Sequence, residues 1–444
     1  MANSPKAKAK PQVYFNVYQG DNENAVSLSG DIGDSLVSLE MQAMANGGYT
    51  IRGRFADLNF NLYNKLIEEG YFKNARQKPM KVQFRCKWDF NAKTPESSTK
   101  LIIAFLISVE TVQPEADDRN LIEFVAIDPP SWYLNAGDAS GKCYTGNIGS
   151  VMQQVVKDYS PTLSSGSGRL ELDIATTTDS KQGKWWLMRQ DPKSFLSSLF
   201  DWSSAVTPTK TQWVFAPNNY KLTIKPQGLL SSTQRRYYSY HKNKDNDPIK
   251  SFKLLTDNAL SAVQTKLITQ GLSTISGQYL DYQTAKNDVQ VYDDNTENKK
   301  VANVLKGRSF QKPPEGSPPN VGYTSVMTIP EVGSAGDLGL PYKDYIDGRP
   351  RAMYLNLVNN LMKAKITLIG DGTWSSCDGL GIDTIFVDWI QAASSKNSTK
   401  LTHWYSGSWL VYGFYHKITA KTWTTDVYCA RFDQDSTAIK VGGN

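Results

Sequence analysis

Along this chain, apolar and polar residues alternate in short runs more often than they recur with a helical period. Val82, Phe84, Cys86 and Trp88 alternate with Lys81, Gln83, Arg85 and Lys87. A period of two places one set of side chains on a buried face and the other in water, as in an antiparallel sheet. Leu101 to Val109 and Leu121 to Ile127 read as further strands. Leu62, Leu66 and Ile67 form one short helical stripe that stops at Gly70. The block from Gln12 to Pro130 is therefore predicted as a small barrel or sandwich.

The pattern changes after Ser131. Val151, Met152, Val155, Val156 and Tyr159 share one side of a helix that Ser150 can cap and Pro161 ends. Asp191-Pro192 opens a second helix, an acidic cap followed by proline in the first turn, with Phe195, Leu196, Leu199 and Phe200 on its inner face. Strands follow at Gln212 to Phe215 and Lys221 to Ile224, which makes this block a compact α+β unit. Further on, Ile249 to Leu255, Ala262 to Thr269 and Val289 to Tyr292 read as strands. A polar stretch from Asp293 to Pro341 then carries Lys312-Pro313-Pro314-Glu315-Gly316-Ser317-Pro318-Pro319 and cannot bury enough apolar surface to fold alone. A helix is predicted from Pro350 to Lys363, with Met353, Leu357, Leu361 and Met362 inward.

Composition fits this layout. A chain of 444 residues is expected to form about two to four domains. Aromatics reach 11%, with 11 Trp and 23 Tyr, residues that suit sheets and large interfaces. The 49 basic and 43 acidic residues leave a net charge of +6, too even for a dedicated nucleic-acid binder. The one evident basic cluster, Lys6, Lys8 and Lys10 with Pro5 and Pro11, reads as a flexible N-terminus or a tether to an acidic neighbour. The N-terminus lacks the apolar segment of a signal peptide. The longest apolar run, Leu101 to Ile107, is far short of the ~20 residues that span a membrane. No stable membrane insertion is expected. Asn397-Ser398-Thr399 then reads as a chance match to a glycosylation acceptor.

The C-terminal part is the most specific. Lys365 to Gly370 is a strand, and Gly379-Leu380-Gly381-Ile382 is a tight turn that feeds a strand at Thr384 to Asp388. Gly407 to Ile418 and Trp423 to Arg431 are two more strands around a turn at Ala420-Lys421. Gly381 and Gly413 suit turns, bulges or close strand approach.

This series resembles the second barrel of phage tail baseplate hub proteins and the related late-control and type VI spike-base proteins. The residues that carry the resemblance are Leu380-Gly381, then Tyr412 to His416 with Ile418, then Thr424-Thr425 and Arg431, preceded by the helix at Pro350 to Lys363. It covers Arg349 to Asp433; the Asp293 to Pro341 insertion has no counterpart. The resemblance implies a mainly β fold with α+β: two tube-like antiparallel β-barrel domains, an α+β middle domain and a long inserted loop. The expected layout is a flexible basic N-terminus (1–11), a first β-barrel domain (12–130) and an α+β middle domain (131–230). The second β-barrel domain (231–292 and 346–435) is split by a polar arm (293–345), and a tail (436–444) closes the chain. It also implies a structural role as a homotrimer. Six alike barrels would then match a sixfold tail tube above and a threefold central spike below. The implied partners are the tail tube protein, the central spike protein, baseplate wedge proteins and genomic DNA in transit, and the implied place is the virion tail, assembled in the host cytoplasm.

Chemistry is sparse. His241, His403 and His416 are the only histidines, and Cys86, Cys143, Cys377 and Cys429 form no C-x-x-C pair. Cys86 and Cys429 lie in apolar strand patterns and read as buried thiols of a protein made in a reducing cytoplasm. His241 lies in a basic tract with Arg235, Arg236, Lys242 and Lys244, read as exposed. Asp378, Asp383 and Asp388 straddle a turn and a strand and make a poor metal set. No G-x-S-x-G elbow and no phosphate loop are present. The expectation is no enzyme, with no catalytic, cofactor-binding or metal residue. The alternative reading is a carbohydrate-binding or cell-wall-degrading tail module, which would need its aromatics exposed.

Overall fold

A computed structural model describes residues 10–19, 35–57, 60, 63–64, 80–88, 97–112, 120–135, 141–159, 170–174, 183–187, 191–206, 213–226, 234–241, 248–255, 275–281, 286–292, 325–328, 363–375, 377, 379–381, 383–391, 401–402 and 406–431. The predicted strand at 262–269, the helical stripe after Asn64 and most of the Asp293 to Pro341 stretch lie outside these residues. So does the helix from Pro350, except Lys363, which opens a strand.

The N-terminal unit contains β1 (Pro11–Gln19), β2 (Leu36–Met44), β3 (Gly48–Ala56), β4 (Met80–Trp88), β5 (Ile102–Val112) and β6 (Leu121–Ile127). The middle unit follows with α1 (Pro129–Asn135), β7 (Lys142–Gly146), α2 (Ile148–Tyr159), β8 (Glu171–Ile174), β9 (Gly183–Leu187), α3 (Pro192–Val206), β10 (Trp213–Asn218) and β11 (Lys221–Pro226). The C-terminal unit begins with β12 (Gln234–His241) and β13 (Ile249–Leu254). A small separate sheet holds β14 (Ile275–Asp281), β15 (Lys286–Tyr292) and β16 (Ser325–Thr328). The unit resumes with β17 (Lys363–Ile369), β18 (Thr384–Gln391), β19 (Leu401–Thr402), β20 (Gly407–Ile418) and β21 (Trp423–Arg431).

The two β units repeat one topology. The first runs β1-β4-β5-β6-β3-β2, and the second runs β12-β18-β20-β21-β17-β13. Counted from the start of each unit, leaving out the two-residue β19 and the separate β14–β16 sheet, the strand order is the same. Every neighbour pair is antiparallel except β12 with β18, which is parallel where β1 and β4 are antiparallel.

Each unit curls around its own interior. Phe15 on β1 lies 5.0 Å from Phe55 on β3 and 5.8 Å from Phe124 on β6, ring centre to ring centre. These strands are not neighbours in the sheet, so their inward faces meet only because the sheet bends round. Phe252 on β13 meets Trp409 on β20 at 5.5 Å in the same way. The described ladders form one continuous path through both units. Alternation explains the faces. In β6, Ile122, Phe124 and Ala126 are buried and the residues between them are half-exposed. In β4, Gln83 breaks the alternation: it is buried and donates to the Tyr18 hydroxyl at 2.9 Å.

The middle unit packs a separate core. Val151, Met152, Val155 and Val156 of α2 meet Phe195, Leu196, Leu199 and Phe200 of α3 over the β10-β11-β8 sheet. Asp191 caps α3 as expected, accepting from the Ser194 amide at 2.9 Å. The cap of α2 differs from the expectation. Asn147, not Ser150, accepts an end amide, from Ser150 at 2.8 Å, and the Ser150 hydroxyl donates back to the Asn147 carbonyl. The helix begins three residues earlier than that cap implies, at Ile148. Among the described residues no helix is long and apolar enough to cross a membrane.

Candidate functional site: the seam between the two β units

Strand β20 joins the units because its two halves have different partners. Leu410 to Gly407 pair with β18, whereas Gly413 to Ile418 pair with β2. The change falls at a bulge between Val411 and Gly413 in the β20–β21 ladder. Around it, the Gly381 amide donates to the Val411 carbonyl at 2.7 Å, and the Ala45 amide donates to the Tyr412 carbonyl at 2.8 Å. Both glycines named from the sequence belong to this point. Gly381 has φ of 73°, a conformation that favours glycine. Gly413 is bare because a Cβ there would overlap the Met44 sulfur and come within 2.9 Å of the Ala43 carbonyl oxygen.

A second tie is the loop after β17, Gly370 to Ser375. Asp371 is buried and accepts from Arg236 at 2.6 Å and from the Tyr238 hydroxyl at 3.1 Å, both on β12. Its other carboxylate oxygen accepts from the Thr373 amide at 3.0 Å and hydroxyl at 2.6 Å. Burial pushes this carboxyl above its ordinary range, and the guanidinium of Arg236 opposes that shift. The indole N–H of Trp374 donates to the Tyr238 hydroxyl at 3.0 Å. The loop also reaches the N-terminal unit. Trp88 donates to the Gly370 carbonyl at 2.9 Å, and the Lys100 amide donates to the Ser375 hydroxyl at 3.0 Å. Gly372 lies so close to Ser98 that a Cβ would overlap its carbonyl.

His416 sits beneath this loop with 0% exposure. Its Nε2 lies 2.5 Å from the Trp374 carbonyl oxygen, its Nδ1 is 2.9 Å from the Thr425 hydroxyl, and the Trp423 indole N–H points at Nδ1 from 3.2 Å. A carbonyl only accepts and an indole only donates. So Nε2 carries the proton, Nδ1 accepts, and the ring is neutral. Burial lowers its pKa to about 4.

A third junction docks the middle unit. Asp128 caps α1 through the Ser131 amide at 2.7 Å and accepts from the Tyr49 amide at 3.0 Å. Lys193 of α3 donates to the Ser131 hydroxyl at 2.9 Å and to the Gly47 carbonyl at 3.0 Å. Burial raises the Asp128 carboxyl and lowers the Lys193 ammonium, each opposed by the other. Asn46 and Asn219, both with positive φ, stitch the turns together. Asn46 accepts from the Phe215 amide at 2.8 Å, and Asn219 accepts from the Ile103 amide at 2.9 Å.

The side chains of His241, Asp378 and Asp388, and all of His403, lie outside the described residues. Among the described residues no group of three or more His, Cys, Asp or Glu could hold a metal ion. Cys86 and Cys429 are free and fully buried, as their strand positions imply. Residues 234–241 form β12, and Arg236 is partly buried by its ion pair with Asp371. Sequence reasoning missed Asp371 and Asp128 because each also has a partner far away in the chain, Arg236 at 135 residues and Tyr49 at 79.

No protein-family model matches the chain, and no curated protein matches it. Solved structures do. A tail protein from Neisseria meningitidis MC58 is 9% identical, with a TM-score of 0.51 over 95% of this chain and 96% of that one. The 43 kDa tail protein of prophage MuSo2 from Shewanella oneidensis is 10% identical, with a TM-score of 0.51 over 95% of this chain and 99% of that one. This chain has the phage tail protein fold. A chain of the Francisella PdpA-VgrG complex is similar too, at 9% identity and a TM-score of 0.51, covering 96% of this chain and 53% of that one. In this chain β20 is the strand through which the two β units are joined edge to edge, and Gly370 to Ser375 is the clamp across them.

Proposed function

We propose that the chain is a structural hub of a phage tail baseplate. In this reading three copies form a ring that adapts a sixfold tail tube to a threefold central spike and passes DNA during ejection. The observation that carries it is the repeated strand order, β1-β4-β5-β6-β3-β2 and β12-β18-β20-β21-β17-β13. Two alike units per chain give six alike units in a trimer, so one polypeptide meets both symmetries. The fold shared with the tail proteins supports the setting. The near balance of 49 basic and 43 acidic residues suits a passage for DNA, since many phosphate contacts would hold it fast.

The proposed role involves no catalysis. The buried polar groups of the seam are occupied in holding loops: Asp371 by Arg236, Tyr238 and Thr373, and His416 by Trp374, Thr425 and Trp423. The alternative of a carbohydrate-binding module is less well supported, because Trp88, Trp185, Trp374, Trp409 and Trp423 are all buried and cannot stack on a sugar. The experiment is to label this chain in assembled tails and image them. The proposal expects the label on the tail axis at the baseplate, between tube and spike. A label on the outer fibres or along the tube would overturn it.

A further inference from the structure

The clamp and the histidine beneath it share one chain of hydrogen bonds. The Asp371 amide donates to the Thr425 hydroxyl at 3.0 Å, and that hydroxyl lies 2.9 Å from His416 Nδ1. On its other side the ring holds the Trp374 carbonyl through Nε2. His416 thus spans the clamp, fixed to Trp374 at one end and linked to Asp371 at the other. The clamp in turn holds the N-terminal unit, by Gly370 to Trp88 and by Ser375 to Lys100.

A second proton on this ring has one place to go, Nδ1, where two donors already converge. Thr425 can turn its hydroxyl and accept instead, since a hydroxyl does both. The Trp423 indole N–H can only donate, and it points at Nδ1 from 3.2 Å. Trp423 is also pinned. Its ring lies 5.3 Å from that of Trp88, and so close to Gly370 that a Cβ there would overlap it. The Gly370 amide donates to the Trp423 carbonyl at 2.9 Å. Trp423 therefore leaves Nδ1 only when Gly370, the first residue of the clamp, moves with it.

The surrounding charges do not offset a charged ring. Asp371 turns its amide toward Thr425, and its carboxylate is taken by Arg236, Tyr238 and Thr373. On β21, Asp426 follows Thr425 on the opposite face and is held by Lys365 and Thr367. On β2, Met41 lies opposite His416, and its neighbour Glu40 falls on the outer face. Tyr415 and Lys417 of β20 itself alternate to that outer face too. From β4 comes the uncharged indole of Trp88. Among the described residues the ring is bonded to no carboxylate.

We propose that protonation of His416 opens the Gly370 to Ser375 clamp and so loosens the two β units from each other while each keeps its own fold. The ladders β2–β3, β3–β6 and β17–β21 carry their own backbone bonds and do not pass through the ring. What opens is the hold of the loop on Trp88 and Lys100. The units then stay joined by the β2–β20 ladder alone, next to the bulge between Val411 and Gly413. The chain is stiff across the seam at neutral pH and hinged there in acid. This device does not depend on the proposed ring of three copies.

Amide exchange of the full-length protein at pH 7 and pH 5, corrected for the intrinsic effect of pH, tests it. The amides to follow are Lys100, Gly370, Asp371 and Thr373, against Ile51 to Phe55 in β3. A ring pKa of about 4 in the closed clamp, against 6.5 when free, makes the open clamp about 20-fold more populated at pH 5 than at pH 7. Opening of one loop exposes little surface, so the clamp amides should exchange faster than Ile51 to Phe55 and stay insensitive to low urea. One urea-dependent rate for both sets, or no rise in acid, overturns the proposal. Burial shifts Asp371 as well, and two variants separate it from His416. The acid rise should vanish in His416→Gln and persist in Asp371→Asn. A rise that survives in the first, or is lost in the second, overturns the proposal, and the second decides alone if the first does not fold.

Discussion

Gly413 and Met44 touch across the seam, and only the missing side chain of Gly413 lets β2 and β20 lie side by side. The contact sits where β20 leaves β18 for β2, so the width of one residue sets how the two β units join. Gly413→Val should widen this gap at a cost of about 1–3 kcal/mol, the usual range for overpacking. The expected outcome is a lower unfolding midpoint in urea, with amide protection lost first along Leu39 to Met44. Because Gly413 does not have a positive φ, a second change, Met44→Ala, should restore part of the loss, and the rest stays with the Ala43 carbonyl. No rescue by Met44→Ala would contradict the contact account.

Asp371→Ala should cost more. It leaves Arg236 without its carboxylate and Tyr238 without its acceptor. Removing one partner of a buried ion pair costs about 3–5 kcal/mol. Asp371→Asn keeps the hydrogen bonds of the loop and loses the charge, so its midpoint should fall between those of the wild type and the alanine variant. A midpoint for Asp371→Asn equal to that of the wild type would show that the charge pair contributes nothing.

His416 makes stability depend on pH. Its folded pKa is about 4, against an ordinary value of 6.5. The unfolded chain therefore binds the proton more readily between these values. Stability is at its fullest above pH 6.5 and declines as pH falls toward 4. The shift corresponds to a loss of about 3 kcal/mol across that window. His416→Gln, which can still donate to the Trp374 carbonyl, should flatten this part of the profile. A wild-type midpoint that does not move between pH 6.5 and 4.5 would contradict the buried neutral ring.

Lys193→Met removes the cation that ties α3 to Ser131 and Gly47. A hydrogen bond to a charged group contributes about 1.5–3 kcal/mol. The Asp128 carboxyl keeps its bonds to the Ser131 and Tyr49 amides. The expected outcome is faster amide exchange in α3 with little change in β20. Equal loosening of both regions would show that the middle unit and the seam are one cooperative body.

How far the fold was legible from sequence depends on what each strand packs against. β6 and β21 were legible because they alternate against one core. β20 was legible through its ordered glycines and aromatics, although its division between two partners was not. β2 hid because its residues, Leu36 to Met44, include the helix formers Leu, Glu, Met, Gln and Ala, while the alternation of Leu39, Met41 and Ala43 is what decides its state. β12 hid because it lies in a polar, basic tract, and Arg236 meets its carboxylate partner, Asp371, only 135 residues on. The cap of α2 was misplaced by three residues because Asn147 and Ser150 are both capping types and local sequence does not choose between them. Of the junctions, Gly381 and Gly413 were visible as glycines. Asp128 and Asp371 have local bonds to Ser131 and Thr373, but their links to Tyr49 and Arg236 join distant strands and leave no local pattern.

In the proposed role, three copies close a ring carrying six alike β units. Electron-microscope images of the purified full-length protein, averaged without imposed symmetry, test it most directly. The account predicts a ring with threefold symmetry and six similar lobes around an open centre. A stable monomer in the presence of its spike protein, or a ring whose lobes do not number twice its chains, would contradict it.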